Sequence, residues 1–109
     1  MLVISNYKKG DVITIKLSTG EELVARFDAD TGSELKVVKP TVLTLNPQDG
    51  QAMLIPWLMS IDTNSSDPII IGKQQIVAVS RPHKPLADGY MQSTTGIAAA
   101  TTQEAGLIL

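Results

Sequence analysis

Apolar and polar side chains alternate through residues 11 to 45 in a way that extended strands produce. In the first run Ile13, Ile15 and Leu17 are separated by polar residues, and the alternation resumes after Gly20. A period of two places these apolar side chains on one face of a strand. Gly20 supplies the backbone freedom that a tight reversal needs. The pattern predicts a β-hairpin with strands near residues 11 to 18 and 21 to 29.

Three more strands follow from similar signals. A turn over residues 30 to 33 leads into a third strand at 34 to 45, which contains Pro40. Proline cannot donate a hydrogen bond to a ladder, so we expect a bulge or an edge there, with the strand bending. Apolar stretches beyond this point predict a fourth strand at 51 to 61 and a fifth at 74 to 81.

These elements predict an all-β fold, in which residues 1 to 85 form one small, five-stranded, strongly bent barrel. Pro82 and Pro85 cannot continue a ladder, and the composition then changes to Ala, Thr, Gly and Gln. Residues 86 to 109 are therefore predicted to be an irregular C-terminal tail. A chain of 109 residues makes one domain, small enough that an oligomer would add useful buried surface.

The predicted fourth strand is apolar on both faces, which is unusual for a sheet that faces water. We interpret this strand as part of a subunit interface. Packing in the ordinary core is the alternative for Met53, Trp57 and Met59. The residues predicted to form the interface are Met53, Ile55, Trp57, Leu58, Val77 and Val79.

Charge and composition exclude several classes of function. Nine Lys and Arg against 11 Asp and Glu give a net charge of −2, so any nucleic-acid contact has to be local. The sequence has no cysteine, and its only histidine is His83. It therefore cannot build a disulfide, a thiolate metal site or a histidine triad within one chain. We expect no enzyme activity, cofactor or metal site.

The lengths of the apolar segments predict the localisation. No apolar run approaches the roughly 20 residues of a membrane span, and residues 1 to 9 do not resemble a signal peptide. We expect a cytoplasmic protein that does not insert in membranes.

Two motifs resemble those of the Sm, Lsm and Hfq proteins. The hairpin that starts at Val12 contains Ile15-x-Leu17-x-x-Gly20, then Leu23-x-Ala25-x-Phe27 and an Asp near the next turn, and it resembles the first Sm motif. The second motif is resembled by Ile69-Ile70-Ile71-Gly72-Lys73-x-x-Ile76-x-x-Val79. The resemblance implies a bent barrel whose fourth and fifth strands pair between neighbours to close a ring, with RNA as the usual ligand. The chain is also similar to small, divergent Sm-like proteins that bacteriophages encode.

The resemblance also indicates which residues would meet RNA. Family members that grip uridines carry an Asn in the loop after the second strand and an Arg before the glycine of the second motif, and both are absent here. Lys73 follows that glycine, so the resemblance directs it toward the pore. Ser33 and Gln74 would add hydrogen bonds to bases, with plain surface solvation as the alternative for both.

Two functions follow from these observations. One is a ring that binds single-stranded RNA weakly, and the other is a structural or assembly module that uses the ring to hold protein partners. Motif resemblance favours the first function, whereas net charge favours the second.

Overall fold

The computed structural model describes residues 6 to 62 and 65 to 95. This part of the chain contains six strands, one 3-10 helix and one α-helix. In chain order they are β1 (Val12–Leu17), β2 (Glu22–Asp30), β3 (Glu34–Leu45), β4 (Ala52–Pro56), β5 (Ile69–Gly72), the 3-10 helix Lys73–Gln75, β6 (Ile76–Ser80) and α1 (Lys84–Thr95).

The strands form one strongly bent antiparallel sheet, which confirms the all-β class. Their order is β4-β3-β2-β1-β6, and β5 also pairs with β3. Strand β3 is long enough to hold two partners on the same edge, with its first half beside β5 and its second half beside β4. Within the described residues the sheet is bent but not closed into the predicted barrel, because β4 and β5 lie at one edge and β6 lies at the other.

The bend in β3 centres on Lys39 and Pro40. The pairing of β2 with β3 shifts between Val24 and Arg26, opposite these two residues, and Lys39 has a positive φ of 52°. A bulge places unpaired residues in one strand and bends it. The bulge expected at Pro40 is therefore confirmed, and it accommodates a proline in a strand that is paired on both sides.

The fourth and fifth strands differ from the expectation. The fourth strand ends at Pro56, and the last bond of its pairing with β3 runs from the backbone N–H of Trp57 to the carbonyl of Pro40, which has no N–H to return. Residues 69 to 72 return to β3 as a separate strand, so the sheet has six strands and not five. The 3-10 helix occupies the start of the predicted fifth strand, which begins at Ile76.

The core lies on one face of the sheet, where the alternation placed it. Its buried members come from β1, β2, β3 and β5: Ile13, Ile15, Leu17, Leu23, Ala25, Phe27, Leu35, Val37 and Ile71. Tyr7 covers one end, with its ring centroid 6.0 Å from that of Phe27. Burial of this face supplies most of the favourable free energy of folding.

The start of the predicted tail is helical. Helix α1 runs over Lys84–Thr95, so the prediction of an irregular segment from residue 86 is wrong through residue 95; residues 96 to 109 lie outside the described part. Pro85 ends the ladder but suits the first helical turn, where its missing N–H would have no intrahelical partner. Tyr90 of this helix is fully buried. Among the described residues, no helix is long and apolar enough to cross a membrane.

Candidate functional site

The structure brings two loops together at one end of the sheet. The backbone N–H of Lys73 donates to the Ser33 carbonyl at 3.0 Å, and Glu34 faces Gly72 across the β3–β5 pair. Ser33 and Gln74 are exposed here. The three residues predicted to contact RNA are therefore neighbours, although far apart in sequence, because β5 pairs with the start of β3.

Lys73 faces inward within this end. Its Nζ lies 2.8 Å from Oδ1 of Asp30, and the two side chains are only 12% and 6% exposed. Asp30 Oδ1 also accepts a hydrogen bond from the Gly32 backbone at 2.9 Å. The ion pair offsets the lysine charge locally, whereas the sequence suggested an exposed cation. The sequence favours a solvated turn flank for Asp30 over a carboxylate pair with Asp28, and nothing local indicates that it meets Lys73.

A third loop completes this end of the sheet. The turn between β1 and β2 is tied to the 3-10 helix, because the Ser18 backbone donates to the Gln75 carbonyl at 2.8 Å and the Ser18 hydroxyl donates to Gln75 Oε1 at 2.9 Å. We call the three loops, residues 18 to 21, 31 to 33 and 73 to 75, the loop end. Its exposed side chains are mainly uncharged and polar, so it offers hydrogen bonds more than positive charge.

The two edges of the sheet carry exposed apolar side chains. Ile70 on β5 is 55% exposed, and Val77 on β6 at the opposite edge is 67% exposed. Neither strand contains a charged residue. Natural proteins usually protect a sheet edge with charge, proline or a covering element, because an unprotected edge pairs with other chains. These edges are therefore candidate contact surfaces.

The predicted interface residues divide between surface and core. Val77 and Ile55 are exposed on edge strands, and Met53 and Leu58 are half-buried. Trp57 and Val79 are half-buried and pack against the core, which for Trp57 is the alternative to an interface. Alternation alone could not place Trp57, because the strand ends just before it. Ile70 escaped the prediction because residues 69 to 71 were expected to precede a turn and not to form an edge.

A second polar cluster joins α1 to the bulge of β3. The Tyr90 hydroxyl lies 3.1 Å from the Val38 carbonyl oxygen and 2.8 Å from that of Lys39. Burial raises the pKa of Tyr90 to about 12, although the nearby Arg26 side chain acts in the opposite direction. The phenol therefore keeps its proton and donates at neutral pH. Beside this cluster, a shallow groove of about 300 Å³ separates α1 from β3 and β4.

The far end of the sheet is held by a small charged cluster. The Arg81 guanidinium lies 4.8 Å from the centre of the Tyr7 ring and 3.1 Å from Asp11 Oδ2. The backbone N–H of Lys8 and the Arg81 side chain lower the pKa of Asp11. Tyr7 packs against the core, and Arg81 covers one face of its ring. This aromatic residue therefore covers that end of the core.

Comparisons with known proteins do not assign the chain to a family. No protein-family model matches the chain, and no curated protein matches it. Within residues 6 to 62 and 65 to 95, no group of three or more His, Asp or Glu side chains is arranged to hold a metal ion. A functional hypothesis for this chain has to be built on the edges and the loop end.

Proposed function

We propose that this protein is a self-assembling Sm-like subunit, whose copies pair head to tail into a closed ring that serves as a scaffold for protein partners. The observation that carries the proposal is the pair of apolar edge strands, β5 and β6, at the two ends of the strand order of one bent sheet. Strand β5 of one copy would add to β6 of the next. Such a contact uses two different surfaces, so it forms a ring when the rotation between copies closes.

The composition of the two edges supports this pairing. Strand β5 has four residues and β6 has five, so the two segments match in length, and both lack charge. Pairing them would satisfy backbone groups and bury the side chains of Ile70 and Val77 together. Cross-strand apolar pairs of this kind stabilise sheets by several tenths of a kcal/mol up to about 1 kcal/mol each.

The charge distribution favours protein partners over RNA. The chain has a net charge of −2, and Lys73 at the loop end is paired with Asp30. Proteins that bind a phosphate backbone normally present several Lys or Arg side chains toward it. A ring of these subunits would instead present mostly neutral polar loops, which suit contacts with another protein surface.

The first prediction concerns assembly. Wild-type protein should give one multimeric mass by native mass spectrometry and light scattering at micromolar concentration, and Val77→Asp should shift it to monomer. The substitution would bury a carboxylate at the β5–β6 contact, and burying an unpaired charge is very costly, so we expect assembly to weaken at least 100-fold.

Leu45→Asp is the matched control, since Leu45 is 64% exposed on β3 and lies on neither pairing edge. It should leave the assembly intact. A wild-type monomer at micromolar concentration would exclude the ring, and equal dissociation by both variants would show that the effect is not specific to the edge.

Single-stranded RNA is a second candidate ligand, supported by the approach of Ser33, Lys73 and Gln74 at the loop end. Repetition around a ring would place one copy of this cluster per subunit near the axis. With little free charge, such a surface would contact the backbone weakly and read sequence poorly. Its affinity would fall as salt rises, because counterions are released from the phosphates.

The second prediction tests this ligand. Fluorescence anisotropy with a short single-stranded RNA should show weak binding at low salt, and Lys73→Ala should reduce it several-fold. Lys84→Ala removes a lysine from the exposed surface of α1 and should leave binding unchanged. Equal affinity for wild type and Lys73→Ala removes Lys73 from the contact, and no binding at low salt supports the scaffold function alone.

A further inference from the structure

The bulge of β3 is contacted from outside the sheet at two successive residues. The Tyr90 hydroxyl of α1 is within hydrogen-bond distance of the Val38 and Lys39 carbonyl oxygens, whereas the next carbonyl, that of Pro40, accepts the last bond of the β3–β4 pairing from the Trp57 backbone N–H at 3.1 Å. Carbonyl groups at a bulge point away from the regular ladder and need other donors. Helix α1 supplies one of those donors from a buried side chain.

The last turn of α1 is fastened to the same place by cationic side chains. Lys39 Nζ donates to the Thr94 carbonyl at 2.9 Å, and Arg26 Nη2 lies 3.4 Å from the Thr94 hydroxyl oxygen. The C-terminus of a helix carries partial negative charge and unsatisfied carbonyls, so cations stabilise it there. Two contacts thus connect Lys39 to the helix, one through its backbone and one through its side chain.

The bulge lies at the point where β3 changes its pairing partner on one edge. The residues of β3 before it pair with β5, and the residues after it pair with β4. A bulge bends its strand and increases the local twist. The bend therefore sets the direction of the β5 edge relative to the rest of the sheet, including β6 at the far edge.

From these contacts we propose that α1 is a strap that fixes the bend of β3 and so selects a single ring size. This inference rests on the proposed head-to-tail ring, because the number of subunits in such a ring depends on the angle between its two pairing edges. With α1 docked, every copy has the same angle and one ring closes. With α1 released, the bulge relaxes and copies join over a range of angles.

The strap is suited to reversible release. In the described part of the chain, helix α1 has 12 residues and contains Gly89 in its interior. An isolated helix of this length is marginal in water, and an interior glycine weakens it further. Its docking depends on tertiary contacts, of which the polar ones converge on the bulge.

The test compares Tyr90→Phe, Lys39→Ala and their double variant in the full chain with wild type. Tyr90→Phe keeps the buried ring and removes only the hydroxyl, and Lys39→Ala removes the contact to Thr94. Lys84→Ala is the control, because it breaks only the exposed pair of Lys84 with Asp88 on the same helix. Hydrogen exchange reports whether α1 is docked, and native mass spectrometry reports the number of subunits.

We expect exchange in α1 to rise roughly 5-fold in each single variant and more in the double variant, since a hydrogen bond contributes about 1 kcal/mol. The double variant should also change from one subunit number to several, whereas Lys84→Ala should match wild type in both measurements. Release of α1 with an unchanged, single number of subunits would overturn the inference about the strap but would not contradict the proposed ring. Unchanged exchange in the double variant would overturn it too, and a monomeric wild type would overturn both proposals.

Discussion

Asp30→Asn is expected to lower the free energy of unfolding by about 3 kcal/mol. The substitution keeps the shape of the side chain and an oxygen that can still accept from the Gly32 backbone, but it removes the charge beside Lys73. Both partners of this pair are nearly buried. Removing one partner of a buried ion pair leaves the other charge poorly compensated and typically costs 3 to 5 kcal/mol. Urea denaturation at a fixed protein concentration measures the change.

Asp28→Asn is the matched control for this prediction. Asp28 lies on the same strand and pairs with Lys9, whose side chain is 80% exposed. A surface pair contributes at most about 1 kcal/mol, so this variant should be nearly neutral. Adding Lys73→Met to Asp30→Asn should recover much of the loss, because no buried charge then remains. Equal costs for Asp28→Asn and Asp30→Asn would contradict the role assigned to the buried pair.

The second large effect is expected at Leu35. Leu35→Ala removes a fully buried side chain from the part of β3 that faces Ile71 of β5. Truncating a buried leucine costs 2 to 5 kcal/mol through lost burial and the cavity left behind, and we expect about 3 kcal/mol. Thermal or urea unfolding at constant protein concentration provides the measurement.

Leu45→Ala makes the same chemical change on the same strand, where the side chain is 64% exposed. Surface substitutions usually change stability by no more than about 0.5 kcal/mol, so the two variants should differ widely. Similar losses in both would mean that Leu45 is covered, and the assembly would then have to bury this end of β3.

Local patterns in the sequence predicted the central hairpin and the bulge well. Ile13, Ile15 and Leu17 alternate with polar residues, so their shared buried face follows from the pleat of a strand. Pro40 indicates a break in the ladder because it lacks a backbone N–H. Both predictions rest on physical effects that act within one or two residues, and tertiary contacts reinforce them here.

The sequence predicted the fourth strand and the C-terminal segment poorly. Apolar alternation continues past Pro56, so nothing local shows that pairing with β3 stops after the bond from the Trp57 N–H to the Pro40 carbonyl. The helix was missed because prolines precede it and its sequence is largely polar. What stabilises it is the burial of Tyr90 against β3, a contact between residues that are distant in sequence.

Separation along the sequence also limited the prediction of the candidate site. The resemblance to Sm-like proteins indicated Ser33, Lys73 and Gln74, and the structure places them together. It could not indicate that Lys73 pairs with Asp30, because each residue is ordinary in its own turn. Whether these side chains meet RNA, and whether Val77 and Ile55 meet a neighbouring subunit, remain predictions for the experiments above.

The division of one edge between β4 and β5 has a consequence for protein engineering. Both strands are anchored independently on β3, and the described residues between Leu58 and Pro68 contain no strand or helix. Lengthening a surface connection costs little free energy, since loop closure depends weakly on length. A peptide tag or small domain could be inserted in this connection without disturbing the ladder on either side. In a ring of these subunits, the insert would be displayed once per copy around the circumference.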